Sequence, residues 1–202
     1  MRHSLIDTYG GVCVDFYHMD EESRIRLICK WVVDIVLVVS FAWFIVYAFG
    51  TSVTVSGNSM QPVLKNGDVV LMNRLAYDFG SPDRMDLVVF SRGGGENNIK
   101  RVIGLPGETV QIEGGVIYID GAVLEAEDGL GQVELAGLAK DPVTLGNDEY
   151  FLLGDNRESS EDSRFSNVGN VKKEQIQGKA WVRISPVTAF GPIRARDTED
   201  EN

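Results

Sequence analysis

One long apolar run stands out in the pattern of hydrophobic and polar positions along the chain. It extends from Trp31 to Phe49, and its only charged residue is Asp34 in the first turn. A helix of this length crosses the roughly 30 Å hydrocarbon layer of a bilayer. Lys30 lies one helical turn before Asp34, so the two charges share a helix face near the headgroups. The pattern predicts a transmembrane anchor over residues 31–50.

The basic residues around the run predict its orientation. Arg24, Arg26 and Lys30 precede it, and no Lys or Arg follows it until Lys65. The positive-inside rule therefore places the N-terminal tail, residues 1–30, in the cytoplasm and the rest of the chain across the membrane. The sequence thus predicts a single-pass protein of the cytoplasmic membrane.

Two other interpretations of the run remain open. Ala48-Phe49-Gly50 has small residues at the spacing of a cleaved secretion signal. The run is longer than a typical signal core and has bulky residues near its end, such as Trp43 and Phe44, which favours a retained anchor. A buried core helix is the third possibility, and the lack of a polar face counts against it.

After the run, the pattern changes to that of short strands. Val53 and Val55 alternate with polar residues, and Thr109–Ile119 is typical of a hairpin with a glycine turn at its centre. Further short apolar runs lie at Val69–Met72, Leu87–Phe90, Tyr150–Leu153 and Ala180–Ile184. The only helical pattern is a short one near Val171–Ile176. We expect residues 51–195 to form one mostly β domain, a partly closed barrel or sandwich.

Three segments carry no regular pattern. Ser91–Asn97 is rich in glycine, which is typical of a flexible loop. Leu124–Asp141 is acidic and weakly patterned, and the sequence assigns it no function. The acidic tail, residues 196–202, is predicted to be disordered.

The composition narrows the possible chemistry. The 202-residue chain has a net charge of −11, which repels phosphate backbones and argues against nucleic-acid binding. Its two cysteines, Cys13 and Cys29, and its two histidines, His3 and His18, all precede the apolar run. For the domain after the run, this argues against disulfides, a zinc site and a Ser-His-Asp triad. No feature calls for a cofactor or a metal.

A serine and a lysine in the predicted β domain suggest a different catalytic pair. Ser59 follows a strand-like alternation and precedes Pro62, which predicts a turn that can present its hydroxyl group. A serine nucleophile needs an adjacent base. Lys100 lies among apolar neighbours on a predicted strand, where loss of hydration lowers the pKa of an ammonium group. On these residues alone, the alternatives are an ordinary turn and an edge-strand lysine in contact with water.

Several motifs resemble those of bacterial type I signal peptidases, which are Ser-Lys dyad serine peptidases. The motifs are Ser56–Pro62 (SGNSMQP), Gly67–Leu71 (GDVVL), Ile99–Gly107 (IKRVIGLPG) and Gly154–Arg164 (GDNRESSEDSR). They occur in the order of the family, after a predicted anchor, and span most of residues 30–190. The resemblance implies a mostly β catalytic domain with Ser59 as the nucleophile and Lys100 as the general base.

The same resemblance assigns supporting roles to the Gly154–Arg164 motif. Ser160 takes the place of a hydroxyl that hydrogen-bonds the lysine amine and orients it. Asp162 and Arg164 take the place of an ion pair that stabilises the loop, with Asp155 and Arg157 nearby.

The resemblance also implies how the pair is surrounded. Phe90 and Leu152 are expected to pack on the stem of Lys100 and keep it dry. Asn98 replaces an aromatic residue that is often found two positions before the lysine, which predicts a wetter pocket. Some members carry a hydroxyl at the position of Gly57 as a second oxyanion donor. Its absence leaves a backbone amide or Ser56 for this role.

The implied substrates are exported precursor proteins, cut after small residues at Ala-X-Ala sites. An extended precursor would pair with an open strand edge, and Val55, Met60 and the strand around Val88 are candidate pocket residues. One alternative function is a catalytically silent, membrane-anchored β domain that binds exported peptides or envelope proteins. A self-cleaving repressor of the related Ser-Lys type is a third, but residues 1–22 are too short for its DNA-binding domain.

Overall fold

A computed structural model describes residues 21–92, 95, 97–124 and 132–193. The predicted tail over residues 196–202 and most of the predicted cytoplasmic tail lie outside the described residues. The chain forms two compact units, which divide between Phe44 and Ile45.

The described N-terminal segment is a single helix, α1, over Glu21–Phe49. Its segment from Arg24 to Phe49 is long and apolar enough to cross a membrane. The side chains of residues 24–47 are exposed, which does not fit a buried core helix. The helix ends at Gly50, whose N–H donates to the Val46 carbonyl at 2.8 Å.

The rest of the described chain is built from strands, which confirms the predicted mostly β fold class. The strands are β1 (Thr51–Thr54), β2 (Val69–Asn73), β3 (Leu87–Ser91), β4 (Asn97–Gly104), β5 (Thr109–Glu113), β6 (Val116–Ile119), β7 (Ala122–Val123), β8 (Val143–Thr144), β9 (Glu149–Leu153), β10 (Val171–Lys172), β11 (Ile176–Ser185) and β12 (Gly191–Pro192). Every segment in which alternation or a short apolar run predicted a strand contains one.

Two sheets form within the described residues. The larger has the order β1-β2-β11-β3-β4-β9-β10, with β12 paired to β11, and the smaller has the order β7-β6-β5-β8. Every strand pair is antiparallel. The smaller sheet contains the predicted hairpin, whose turn residues Gly114 and Gly115 have φ values of +57° and +84°. Glycine is favoured there because other residues rarely adopt positive φ.

The prediction of a helix over Val171–Ile176 is wrong for half of the segment, because Val171, Lys172 and Ile176 belong to strands. Val171 is buried and pairs with Tyr150 in the β10–β9 ladder. Only one turn of 3-10 helix follows, Lys173–Gln175, and the Gln175 side chain accepts a hydrogen bond from the Lys172 N–H at 2.8 Å. The buried strand pair overrides the local helical preference.

The strand β4 separates two parts of the hydrophobic core. Ile99 packs in a cluster with Val89 and Val53. Val102 packs in another cluster with Val88 and Phe90. Since alternate residues of a strand point to opposite faces, Lys100 lies on the same face as Val102. Strand alternation therefore directs the lysine towards an apolar layer.

Candidate active site

Ser59 lies on a tight turn that follows β1. Gly57 has a φ of +82°, and its N–H donates to the side-chain oxygen of Asn66 at 3.0 Å. After Ser59, Met60 is 1% exposed and Leu64 is fully buried in the core. The turn is thus anchored at both ends, and Ser59 itself is half-buried.

Lys100 is brought directly to this serine. Its Nζ and Ser59 Oγ are joined by a hydrogen bond of 2.6 Å, although the residues are 41 positions apart in the chain. Lys100 lies opposite Val88 in the β3–β4 ladder and is 4% exposed. The distance is right for direct proton transfer between the two side chains.

The sheet face that carries Lys100 is lined by apolar residues. Phe90 lies opposite Asn98, and Leu152 lies opposite Val102, so both share the sheet face of Lys100. Phe90 is 1% exposed and Leu152 is fully buried. Their side chains exclude water from this layer of the sheet.

Burial changes the ionisation of the lysine. It lowers the pKa of Lys100 from 10.5 to about 8, because the charged ammonium loses hydration. The negative charges of Asp162 and Asp155 oppose this effect, and the positive charges of Arg92 and Arg164 add to it. A substantial fraction of the amine is therefore neutral near neutral pH.

The loop over residues 154–164, which we call the active-site loop, is organised by a buried ion pair. Arg164 Nε and Nη2 donate to the two carboxylate oxygens of Asp162 at 2.8 Å each. Both side chains are almost fully buried, and Asp162 also accepts the Gly154 N–H at 3.0 Å. The ion pair expected between Asp162 and Arg164 is thus present and closes the loop on itself.

Arg101 takes part in a second buried ion pair, which the sequence did not predict. Its Nε and Nη2 donate to the carboxylate oxygens of Asp155 at 2.7 Å each. Arg101 is 4% exposed, and its Nη1 also donates to the Met85 carbonyl. The signal was a charged residue between Lys100 and the apolar pair Val102 and Ile103, since a charged residue that is buried among apolar ones needs a partner. The pair ties the lysine strand to the active-site loop.

Asn156 was also missed, and it ties the same loop to the serine turn. Its backbone N–H donates to the Ser59 carbonyl, and its side-chain amide donates to the Asn58 carbonyl, both at 3.1 Å. Because both acceptors belong to the serine turn, Asn156 holds this turn against the active-site loop.

Ser160 does not make the hydrogen bond to the lysine that we expected. Its Oγ is buried and has no hydrogen-bond partner among the described residues. The side chain packs against the Cα of Gly154, where an added Cβ would overlap it and would lie 2.5 Å from the Ser59 carbonyl oxygen. Arg157 is buried in the same loop, and its carbonyl accepts a hydrogen bond from Arg164 at 2.8 Å.

An open cleft of about 470 Å³ leads to the Ser59–Lys100 pair. Its lining consists of Ser52–Ser56, Ser59, Met60 and Asn97–Lys100. Val55 and Met60 therefore line the cleft as predicted, but Val88 does not: it is fully buried and lies opposite Lys100 in the β3–β4 ladder. In the described residues, β1 pairs only with β2, and residues 97–100 of β4 pair only with β3. The β1 wall thus presents an unpaired strand edge to the cleft.

Comparison with known proteins places the chain in a family. The profile of the family of signal peptidases, peptidase S26, matches residues 28–185. A signal peptidase I from Bacillus caldolyticus is 33% identical over 175 residues, which cover 79% of this chain and 91% of that protein. A signal peptidase I from Leptolyngbya laminosa is 36% identical over 148 residues, covering 69% of this chain and 70% of that protein. A solved signal peptidase I structure from Enterococcus faecalis is 32% identical over 49% of this chain and 96% of that one, with a TM-score of 0.41. The chain belongs to the signal peptidase family, peptidase S26.

Proposed function

We propose that this protein is a membrane-anchored serine endopeptidase that removes signal peptides from exported precursors, with Ser59 as the nucleophile and Lys100 as the general base. The observation that carries the proposal is the 2.6 Å hydrogen bond between Lys100 Nζ and Ser59 Oγ at the end of an open cleft. Family membership supports the reaction class, and the lowered pKa of Lys100 supports its role as a base.

The reaction runs in two stages through an ester on Ser59. Neutral Lys100 takes the hydroxyl proton as Ser59 Oγ attacks the scissile carbonyl carbon. The lysine ammonium then gives this proton to the leaving amine as the peptide bond breaks. In the second stage, neutral Lys100 takes a proton from water, the hydroxide displaces Ser59 Oγ, and the proton returns to Ser59.

The oxyanion of each tetrahedral intermediate needs hydrogen-bond donors. The Ser59 N–H makes no hydrogen bond within the described residues, so it is available as the first donor. Gly57 has no hydroxyl, and its N–H is already used by Asn66. The Ser56 hydroxyl, which is exposed and lines the cleft, is our second donor.

The active-site loop supports the lysine. Asp162 and Arg164 hold the loop in shape, and Asp155 connects it to the lysine strand through Arg101. The Ser160 hydroxyl makes no hydrogen bond to the lysine in this structure, so an orienting role requires it to turn towards the amine during turnover. A buried hydroxyl without a partner is costly, and native proteins keep such groups mainly at functional sites.

The cleft suits an extended peptide that has small residues before the scissile bond. A precursor lying between β1 and β4 would pair with the unpaired edge of β1. The buried side chains of Val53, Val55 and Ile99 lie within its lining and leave only shallow space beside Ser59. Alanine fits such depressions, which supports cleavage at Ala-X-Ala sites.

The membrane topology is part of the same proposal. Residues 31–50 form the anchor, residues 1–30 lie in the cytoplasm, and the catalytic domain, residues 51–195, lies on the extracytoplasmic side of the cytoplasmic membrane. The basic residues before the apolar run support this orientation. The anchor keeps the cleft near the membrane surface, where the apolar segment of a precursor ends.

The test is cleavage of a synthetic precursor with one Ala-X-Ala site by the full-length protein in detergent. We expect a single cut after the final Ala. Ser59→Ala and Lys100→Arg should be inactive but folded, because the first lacks the nucleophile and a guanidinium is no base at neutral pH. Binding of the precursor without any cut by the wild-type protein would favour the silent binding domain. Equal cleavage by Ser59→Ala would refute the assignment of the nucleophile.

A further inference from the structure

Residues 135–139 contact the active-site loop directly, although the sequence assigned this segment no function. They lie between β7 and β8 of the smaller sheet and include the start of a 3-10 helix, Gly137–Lys140. We propose that residues 135–139, which we call the brace, position the active-site loop for catalysis, and that Gly137 is the positioning residue. The proposal rests on the peptidase function given above.

The brace holds Arg164 from two sides. Arg164 Nη1 donates to the Leu135 carbonyl at 3.0 Å, and the Leu138 N–H donates to the Arg164 carbonyl at 2.8 Å. The first contact fixes the guanidinium group and the second fixes the backbone. Arg164 is 1% exposed, so neither contact is easily replaced by water.

Gly137 lies between these two contacts and leaves no space for a larger residue. An added Cβ would overlap the Arg164 carbonyl oxygen and would lie 2.9 Å from the Arg164 Cβ. The atom that must move is part of the backbone rather than the end of a flexible side chain. Gly137 also has a φ of +57°, a conformation that favours glycine. The chain can approach the active-site loop this closely only because residue 137 has no side chain.

The brace is itself firmly held, so a clash at Gly137 would move the loop rather than the brace. Ala139 is fully buried and Val133 is 1% exposed, and both belong to the core cluster of the smaller sheet. The Val133 N–H also donates to the Gly115 carbonyl at 3.0 Å.

A displacement of Arg164 would reach the catalytic pair through a short series of contacts. Asp162 pairs with Arg164 and accepts the Gly154 N–H. Two residues further along, Asn156 donates to the Ser59 carbonyl. Each step is a buried or backbone hydrogen bond, so the position of Ser59 depends on the position of the loop.

The substrate cleft shares only the serine turn with these contacts. Its lining comes from β1, the serine turn and the start of β4, and includes no residue of the brace or the active-site loop. A shifted loop should therefore impair the chemical step and leave binding of the precursor unchanged. This predicts a fall in kcat at constant KM.

The experiment compares Gly137→Ala with Gly114→Ala in the full-length protein. Gly114 has the same φ of +57°, but an added Cβ there has no atom within 4 Å. The control therefore carries the backbone strain without the clash. We expect kcat of Gly137→Ala to fall by roughly tenfold or more, since small displacements of catalytic groups cost up to about a hundredfold. The control should keep the kcat of the wild-type protein, and both variants should keep its KM.

Amide hydrogen exchange of residues 154–164 provides a readout that does not depend on activity. Exchange in this loop should be faster in Gly137→Ala and unchanged in Gly114→Ala. Equal exchange and equal kcat in the two variants would overturn the proposal, and so would a rise in KM at constant kcat. If the wild-type protein itself does not cut the precursor, the proposed function fails, and hydrogen exchange alone decides whether the brace positions the loop.

A second pair of variants covers the case in which Gly137→Ala does not fold. Asn adopts positive φ with less strain than Ala but carries the same Cβ. Gly137→Asn and Gly114→Asn therefore repeat the comparison with less backbone strain. Both positions are exposed, so the rest of the Asn side chain can extend into solvent. The expected differences in kcat and in hydrogen exchange are the same.

Discussion

The lowered pKa of Lys100 leads to a quantitative prediction for the pH dependence of cleavage. With a pKa of about 8, about 1% of the amine is neutral at pH 6, about 10% at pH 7 and about half at pH 8. With the ordinary pKa of 10.5, only about 0.03% would be neutral at pH 7. Burial thus raises the active fraction at neutral pH by roughly three-hundredfold.

The assay is kcat/KM for a peptide that has blocked ends and no group titrating between pH 6 and 9. This parameter reports the pKa of the free enzyme. We expect it to rise nearly tenfold between pH 6 and 7 and to level off above pH 8, because activity requires the neutral amine. A flat profile between pH 6 and 9, or a rise that continues to pH 10.5, would refute the role of Lys100 as a buried base.

The same pKa can be measured without activity, from the stability of Lys100→Met. Below pH 8 the lysine is charged in both the folded and the unfolded state, and burial of the charge costs the folded state about 3 kcal/mol. Between pH 8 and 10.5 the unfolded state binds more protons, so the wild-type protein gains stability as the pH rises. We expect Lys100→Met to be the more stable protein at pH 7 and to lose this advantage by about pH 10.5. A difference that does not change with pH would contradict the lowered pKa.

Two further variants test the active-site loop. Ser160→Ala should reduce kcat by roughly tenfold or more, while the free energy of unfolding in urea stays within about 1 kcal/mol, because the hydroxyl has no partner to lose; full activity would exclude an orienting role. Asp162→Asn should lower the free energy of unfolding by about 3–5 kcal/mol, because it leaves the buried Arg164 without its counter-charge. A loss below about 1 kcal/mol in the same urea titration would show that the ion pair does not hold the loop.

Much of the fold could be predicted from local pattern, and the wrong helix prediction arose where a partner distant in the chain decided the structure. The alternation around Val53 and the hairpin over Thr109–Ile119 identified strands because side chains of a half-buried strand repeat every two residues. The segment near Val171 was misassigned because its strand is only two residues long. Such a strand is stabilised by its partner Tyr150 and not by its own sequence.

The candidate site could likewise be predicted only in part from the sequence. The motifs identified Ser59, Lys100 and the Asp162–Arg164 pair, because their residue types and order are specific. They did not reveal that Asp155 pairs with Arg101, 54 residues away. They also led us to expect a hydrogen bond between Ser160 and the lysine that the structure does not contain.

The sequence by itself determined that the described chain has one long apolar helix followed by a β domain, and it identified Ser59 and Lys100 as the candidate catalytic residues. These properties follow from hydrophobic periodicity and from short motifs, which depend only on neighbouring residues. Only the tertiary structure decided that Ser59 and Lys100 meet, that burial lowers the pKa of the lysine, and that Gly137 contacts the backbone of Arg164. Each of these depends on how distant strands and loops pack together, because hydration, distance and steric overlap arise only when the chain is folded.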